Sequence, residues 1–293
     1  MKLPIALIIV LFGFAGHIPA GAAEYGVARI PTPVLNTPDF KAVFGGTNGR
    51  ILKADRCGQV RELEFVALPG SVFTILKKKR LGSADIYQVK TDEYQPLPNV
   101  MLYIDGRFLT LRQDPPQPRR TSLPSREEIV SSLRASIGSH YVWGGNIQDG
   151  VTELEEWFYK GIAADDRRRL TLAGLDCSGL LYHATGGWTP RNTAELLAYG
   201  QGVAIAGKSP ADIVAMLQPL DLIVWNGHVI IVLDGKNAIE SRLECGKPGS
   251  GGVVVTSLSQ RIAGITRTRR PVNAWLGGEK RRDVFVVRRW YGL

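Results

Sequence analysis

The pattern of apolar and polar positions changes character along the chain. An apolar run over residues 7–14 is followed by a patternless stretch, 24–38, that holds Pro31, Pro33 and Pro38. Residues 39–113 then alternate in short bursts: 60–66 ending at Pro69-Gly70, 71–76, a charged turn over 77–82, 86–89, and 101–104 ending at Asp105-Gly106. Short strands with polar turns predict a small β-barrel. Three prolines within 114–118 fit neither a helix interior nor a central strand, so 114–121 reads as a linker. Ser125 and Glu128 have the spacing of a capping box, and a helix is predicted from Ile129 to about Ile137, stopping at Gly138. Residues 146–175 are polar and helix-prone. Further helices are expected over 177–184 and 193–199, and β-branched runs at 222–225, 228–233 and 238–241 predict an antiparallel meander extended by 253–256 and 284–288. Helices followed by a meander make an α+β domain over 122–293.

The N-terminus changes where this molecule is expected to work. Lys2, the apolar run and Ala20-Gly21-Ala22 form a signal peptide over residues 1–23, an N-terminal anchor being the alternative. Residues 24–38 are then a leader that wraps or dangles. The expected location is the periplasm or cell-wall space, with no stable membrane insertion after cleavage. The net charge of +9 favours anionic wall polymers or membrane surfaces, and no nucleic-acid-binding motif is present. No cluster with metal-ligand spacing occurs, so neither metal nor cofactor is expected.

Three cysteines, Cys57, Cys177 and Cys245, in an oxidising compartment suggest one bridge and one free thiol. Cys177 is the candidate nucleophile. It stands at a predicted helix start, where unpaired N–H groups favour a thiolate and hold an oxyanion, beside the small residues Ser178 and Gly179. The alternative is a small buried hydrophobe. After residue 23 the chain has three candidate bases. His183 lies about 600° and roughly 9 Å along the helix from Cys177 and points elsewhere. His140 ends a helix, which leaves His228. Glu240, on the following strand, is the candidate orienting group. A three-residue loop at 234–236 would pair Leu233 with Asn237 and put His228 and Glu240 on one face, whereas a two-residue Asp-Gly loop would separate them unless a bulge intervened.

Tyr141-x-Trp143-Gly144-Gly145, Asp176-Cys177-Ser178-Gly179, Pro190-Arg191-Asn192-Thr193 and Asp221-Leu222-Ile223 followed by His228-Val229 resemble, in order and spacing, the NlpC/P60 family over residues 122–293. The preceding barrel resembles the bacterial SH3-like domains that many such enzymes carry. The resemblance implies a papain-like core, and hydrolysis of peptidoglycan stem peptides or muropeptides at the γ-D-glutamyl-diamino acid bond, as in the dipeptidyl-peptidase VI type. It places Cys177 as nucleophile, His228 as base and Glu240 in a third position more often filled by His. It also implies substrate contacts by Tyr141, Asp176, Ser178 and Thr193, with Asp176 and Ser178 receiving a free L-Ala amine. Tyr141 and Trp143 have ordinary core packing as their alternative. Tyr94 and Tyr103 compete for the family's amine-recognising tyrosine in the first domain, and the long 146–175 stretch departs from the pattern as a lid or partner surface. Acyl transfer through a thioester and non-catalytic wall binding are the rival readings.

Overall fold

The computed structural model describes residues 25–246, 251–276 and 281–292. The expected signal peptide lies outside them. The supposed leader does not dangle: it supplies strands β1 (Tyr25–Ala28) and β2 (Thr32–Leu35) of the first sheet. Its other strands are β3 (Leu63–Ala67), β4 (Val72–Leu81), β5 (Ala84–Lys90), β6 (Leu102–Asp105) and β7 (Leu109–Arg112), in the order β3-β2-β6-β5-β4-β1-β7. Every pairing is antiparallel. Among the described residues the outer strands β3 and β7 do not pair with each other, so the sheet is open rather than the closed barrel expected for an SH3-like domain. Pro33 is tolerated in β2 because it lies opposite Val66, whose N–H and C=O point away from β2 toward the Asn146 side chain, so no ladder bond is lost there.

The charged segment read as a turn, 77–82, is mostly strand. β4 runs through Leu81, with Lys78 opposite Tyr87 and Arg80 opposite Asp85, and Asp85 bridges both cations. Half-solvated antiparallel strands accept such side chains readily. A short helix α1 (Phe40–Val43) and the 146–175 stretch complete this unit. That stretch folds into α3 (Glu153–Phe158) and α4 (Arg167–Leu170), after α2 (Arg126–Ala135). Its Val151, Leu154, Leu170 and Leu172 are buried in the first core, Phe158 packs on Phe40 and Phe44, and Trp157 meets Phe108 edge-on. The 146–175 stretch, expected as a lid or partner surface, therefore packs its apolar side chains into the first core.

In the second domain the capping box on α2 is present, Ser125 and Glu128 exchanging bonds as the spacing predicted. Helices α5 (Cys177–Ala184), α6 (Thr193–Leu196), α7 (Pro210–Met216) and α8 (Leu258–Thr266) surround a second antiparallel sheet. Its strands β8 (Gln201–Gly202), β9 (Leu222–Trp225), β10 (His228–Val232), β11 (Asn237–Leu243), β12 (Gly251–Ser257) and β13 (Val284–Arg289) run in the order β8-β13-β9-β10-β11-β12. Leu222, Val224, Val229 and Ile231 face α2, α5 and α6, while Ile223, Ile230, Val232 and Phe285 face α7 and α8. Burial on both faces explains why these strands read as continuous β-branched runs.

Cys57 and Cys245 form a disulfide across the two domains, 188 residues apart in sequence. Closing a loop of that length removes about 5 kcal/mol of denatured-chain entropy in the chain-entropy picture, as an upper figure. Reduction is accordingly expected to lower the urea midpoint, with a larger denaturation m-value as the denatured chain expands. Identical curves with and without reductant would refute that.

Candidate functional site

The Gly-Gly turn and the Cys177 helix interlock at backbone contact. A Cβ on Gly179 would stand 2.0 Å from the Gly145 carbonyl oxygen, so α5 docks on the Gly-Gly turn only with glycine at 179. Asp176 caps α5, its Oδ1 accepting from the N–H of Gly179 at 2.6 Å. Cys177 thus occupies the first helical position, where its own N–H has no intrahelical acceptor. Its Sγ lies 3.7 Å from Thr193 Oγ1, at the start of α6, and 3.9 Å from the Gly227 carbonyl oxygen. Cys177 is the free cysteine and is 6% exposed.

Gly227 belongs to the Asn-Gly turn between β9 and β10, with φ +90°, and it delivers His228 at the mouth of the sheet. The β10–β11 loop is the three-residue form: Leu233 N–H donates to the Asn237 carbonyl, and Val232 pairs with Ala238. That register puts His228 and Glu240 on one face, and His228 Nε2 lies 2.7 Å from Glu240 Oε2. With Nε2 engaged by Glu240, Nδ1 is the ring nitrogen left for a second partner. Glu240 is fully buried. Its Oε1 accepts from Arg261 Nε at 2.7 Å and its Oε2 from Arg261 Nη2 at 2.9 Å. Arg261 comes from α8, and nothing in the one-dimensional pattern pointed to it.

The electrostatics follow from these contacts. Burial opposes charge on His228, but hydrogen bonding and attraction from Cys177 and Glu240 outweigh it and raise the imidazole pKa to about 9. Burial likewise opposes ionisation of Glu240, and bonds from His228 and Arg261 overcome it, holding the carboxyl at about 2. Tyr141 is buried, and burial, then the charges of Cys177 and Asp176, keep its phenol far above its ordinary range, a neutral donor beside the thiol.

These shifts define a stability window. His228, raised from 6.5 to about 9, stabilises the fold fully below 6.5, and that contribution is lost as pH rises through 9. Glu240, lowered from 4.5 to about 2, stabilises it above 4.5, and its contribution is lost as pH falls through 2. The wild-type advantage in Tm over His228→Gln is therefore expected to be widest between 4.5 and 6.5 and to shrink as pH rises toward 9. A pH-independent difference would contradict the ion-pair account.

Asp176 and Ser178, expected to receive a substrate amine, meet the buried guanidinium of Arg191. Arg191, 2% exposed, forks Asp176 through Nη1 at 3.1 Å and Nη2 at 2.8 Å and donates from Nη1 to Ser178 Oγ at 3.1 Å. Its Nε donates to Asn146 Oδ1 at 3.0 Å, and Nη2 donates to the Gly145 carbonyl. Arg191 sits in the Pro190–Thr193 motif, whose charged member was the available signal. Asn146 also pairs its amide with both backbone groups of Val66, so the network continues into the first sheet.

The first domain meets this region at Tyr94, whose hydroxyl donates to Glu64 Oε2 at 2.8 Å and whose ring stacks on Phe65. Tyr94 also feels the charges of Arg191 and Asp176. Its rival Tyr103 instead lies under Lys79 and near Met101. Trp143 is partly exposed beneath the Arg61 guanidinium, 4.4 Å from its ring centroid. Of the rejected histidines, His183 is held low by burial, and His140 bridges to Gly252 and lines a cavity of about 350 Å³ to which Cys177 does not contribute. Among the described residues no three His, Cys, Asp or Glu converge as a metal site, and no helix is long and apolar enough to cross a membrane.

A thiol at a helix N-terminus, facing an imidazole that a buried carboxylate orients across an antiparallel hairpin, defines a Cys–His–Glu site on an α+β fold. Solved structures similar to this chain are NlpC/P60 proteins. One from Bacillus cereus ATCC 10987 matches at 16% identity and TM-score 0.33, over 92% of this chain and 64% of that one. RipD from Mycobacterium tuberculosis, a non-catalytic NlpC/p60 domain protein adapted to peptidoglycan binding, matches at 19% identity and TM-score 0.30, over 45% of this chain and 86% of that one. An NlpC/P60 endopeptidase from Photobacterium damselae subsp. piscicida matches at 15% identity and TM-score 0.29, over 80% and 47%. This chain therefore spans less than two thirds of the Bacillus and Photobacterium proteins. No protein-family model and no curated protein matches it.

Proposed function

We propose that this chain is an exported cysteine endopeptidase that hydrolyses peptidoglycan stem peptides or muropeptides at the γ-D-glutamyl-diamino acid bond. The observation that carries the reading is the convergence of Cys177, His228 and Glu240. The Cys177–His228 pair acts as thiolate and imidazolium. Sγ attacks the γ-carbonyl carbon, and the carbonyl oxygen takes the negative charge against the Cys177 N–H and the Tyr141 hydroxyl. The tetrahedral adduct collapses, the C–N bond breaks, and His228 gives its proton to the departing amine. Neutral His228 then takes a proton from water as the water attacks the thioester, and the acid leaves as Cys177 and His228 recover their charges.

Export is supported by the sequence of residues 1–23 and by the Cys57–Cys245 bridge, since such bonds persist in oxidising compartments. The full chain's charge of +9, or +8 once Lys2 leaves with residues 1–23, also suits an anionic wall. With Asp176 and Ser178 committed to Arg191, Tyr94 and Glu64 are the first-domain groups we assign to the substrate amine, in preference to Tyr103. The test is mass spectrometry of L-Ala-γ-D-Glu-diaminopimelate incubated with the purified protein. Release of L-Ala-D-Glu is the expected result. An intact tripeptide together with intact sacculi would overturn the proposal.

A further inference from the structure

Glu240 is an unusual orienting group in its isolation from solvent: the carboxylate is fully buried, yet it must be ionised to serve His228. A buried carboxylate survives as an anion only when charge and hydrogen bonds replace its water. His228 supplies one bond, to Oε2. Arg261 supplies the other two, one to each oxygen, in the planar fork that guanidinium makes with carboxylate. The fork fixes the plane of the carboxylate and thereby the direction in which Oε2 meets the imidazole. Around it, Trp225 packs against the His228 ring at 4.9 Å and lies under the Arg269 and Arg261 guanidiniums at 4.6 and 5.7 Å. The charged and titratable groups facing the pair are thus Cys177 and Tyr141 from the α5 side, Glu240 from β11, Arg261 from α8, and Arg269 just beyond it.

We propose that Arg261 is a positioning residue of the thiol site: it clamps Glu240 in the plane that meets His228 and divides the carboxylate's charge, so setting how far up in pH His228 keeps its proton beside Cys177. This rests on the assignment of Cys177 and His228 in the proposed function. Without Arg261 the imidazolium faces an undivided carboxylate with one cation fewer nearby, so it keeps its proton to higher pH.

The test reads the thiol directly. With Cys57 and Cys245 bridged, iodoacetamide reports Cys177 alone in the full chain. The wild-type alkylation rate is expected to show an alkaline inflection where the His228 imidazolium loses its proton. In Arg261→Met it moves up by about one pH unit, the scale of losing one close counter-charge. In Arg261→Lys, which keeps the charge but loses the fork, it moves by a smaller amount in the same direction. The His228 ring, followed by NMR in the same proteins and assigned with His228→Gln, is expected to shift with the alkaline inflection. A wild-type inflection in a folded Arg261→Met, even at a reduced rate, would reduce Arg261 to a structural role and overturn the proposal. Should Arg261→Met not fold, unmoved inflections in Arg261→Lys and Arg261→Gln would overturn it equally. Failure to cleave muropeptides would instead count against the substrate assignment, because alkylation needs no substrate.

Discussion

Cys177→Ala is expected to abolish release of L-Ala-D-Glu from the tripeptide, lowering kcat by about 10⁴-fold or more while leaving the fold intact. The physical ground is that Sγ is the reacting atom and has no substitute within reach. Thr193 Oγ1, 3.7 Å away, is an alcohol, a far poorer nucleophile at neutral pH than a thiol. Alanine keeps the Cβ and the first helical position that Asp176 caps, so the fold persists, while His228 loses the partner that does most to hold its proton. Cys177→Ser is the sharper companion: it preserves size and polarity, yet its hydroxyl does not ionise beside an imidazolium as a thiol does. Circular dichroism and product mass spectrometry of both variants check the expectation. Retained turnover in Cys177→Ala would remove the thiol from the mechanism altogether.

Arg191→Met carries the largest expected cost in stability. It removes a cation that forks Asp176 and bonds Ser178, Asn146 and the Gly145 carbonyl. Breaking one half of a buried ion pair typically costs about 3–5 kcal/mol, because the remaining charge has neither water nor partner. In a chain of this size that is a Tm drop on the order of 10 °C. Arg191→Lys should rescue little, since one ammonium does not reproduce the fork and the Nε bond. Removing both charges with Asp176→Leu should recover part of the loss, although the α5 cap goes with it. Differential scanning calorimetry of the two single variants and the double variant separates these terms. Additive losses would show that Arg191 and Asp176 do not act as a pair. Loss of activity should accompany loss of stability here, because Asp176, Cys177 and Ser178 are consecutive, so the network sets where the thiol stands.

The same residues show where one-dimensional reasoning was sufficient and where it stopped. The capping box at Ser125 and Glu128, the helix that Cys177 opens, and the β-branched runs of the second sheet were legible because each depends on neighbours within a few positions. The parity of His228 and Glu240 was half legible. It hinged on one loop residue, and the backbone at 234–236 decided it. The first domain was less legible. Residues 25–35 have no strand pattern of their own and acquire one by pairing with β3, β4, β6 and β7. The charged strand 77–81 owes its conformation to β5 beside it.

By itself, then, the sequence determined the local events: the capped helices, the β-branched strands of the second sheet, and which cysteine opens a helix. These follow from periodicity, capping and turn chemistry, all short-range. Only the tertiary structure decided the partners that arrive from afar. Arg261 reaches Glu240 across 21 residues, Arg191 reaches Asn146 across 45, and Cys245 reaches Cys57 across 188. A buried charge or thiol selects its partner by proximity in the folded core, and that proximity is a property of packing, which no pattern of neighbouring residues encodes.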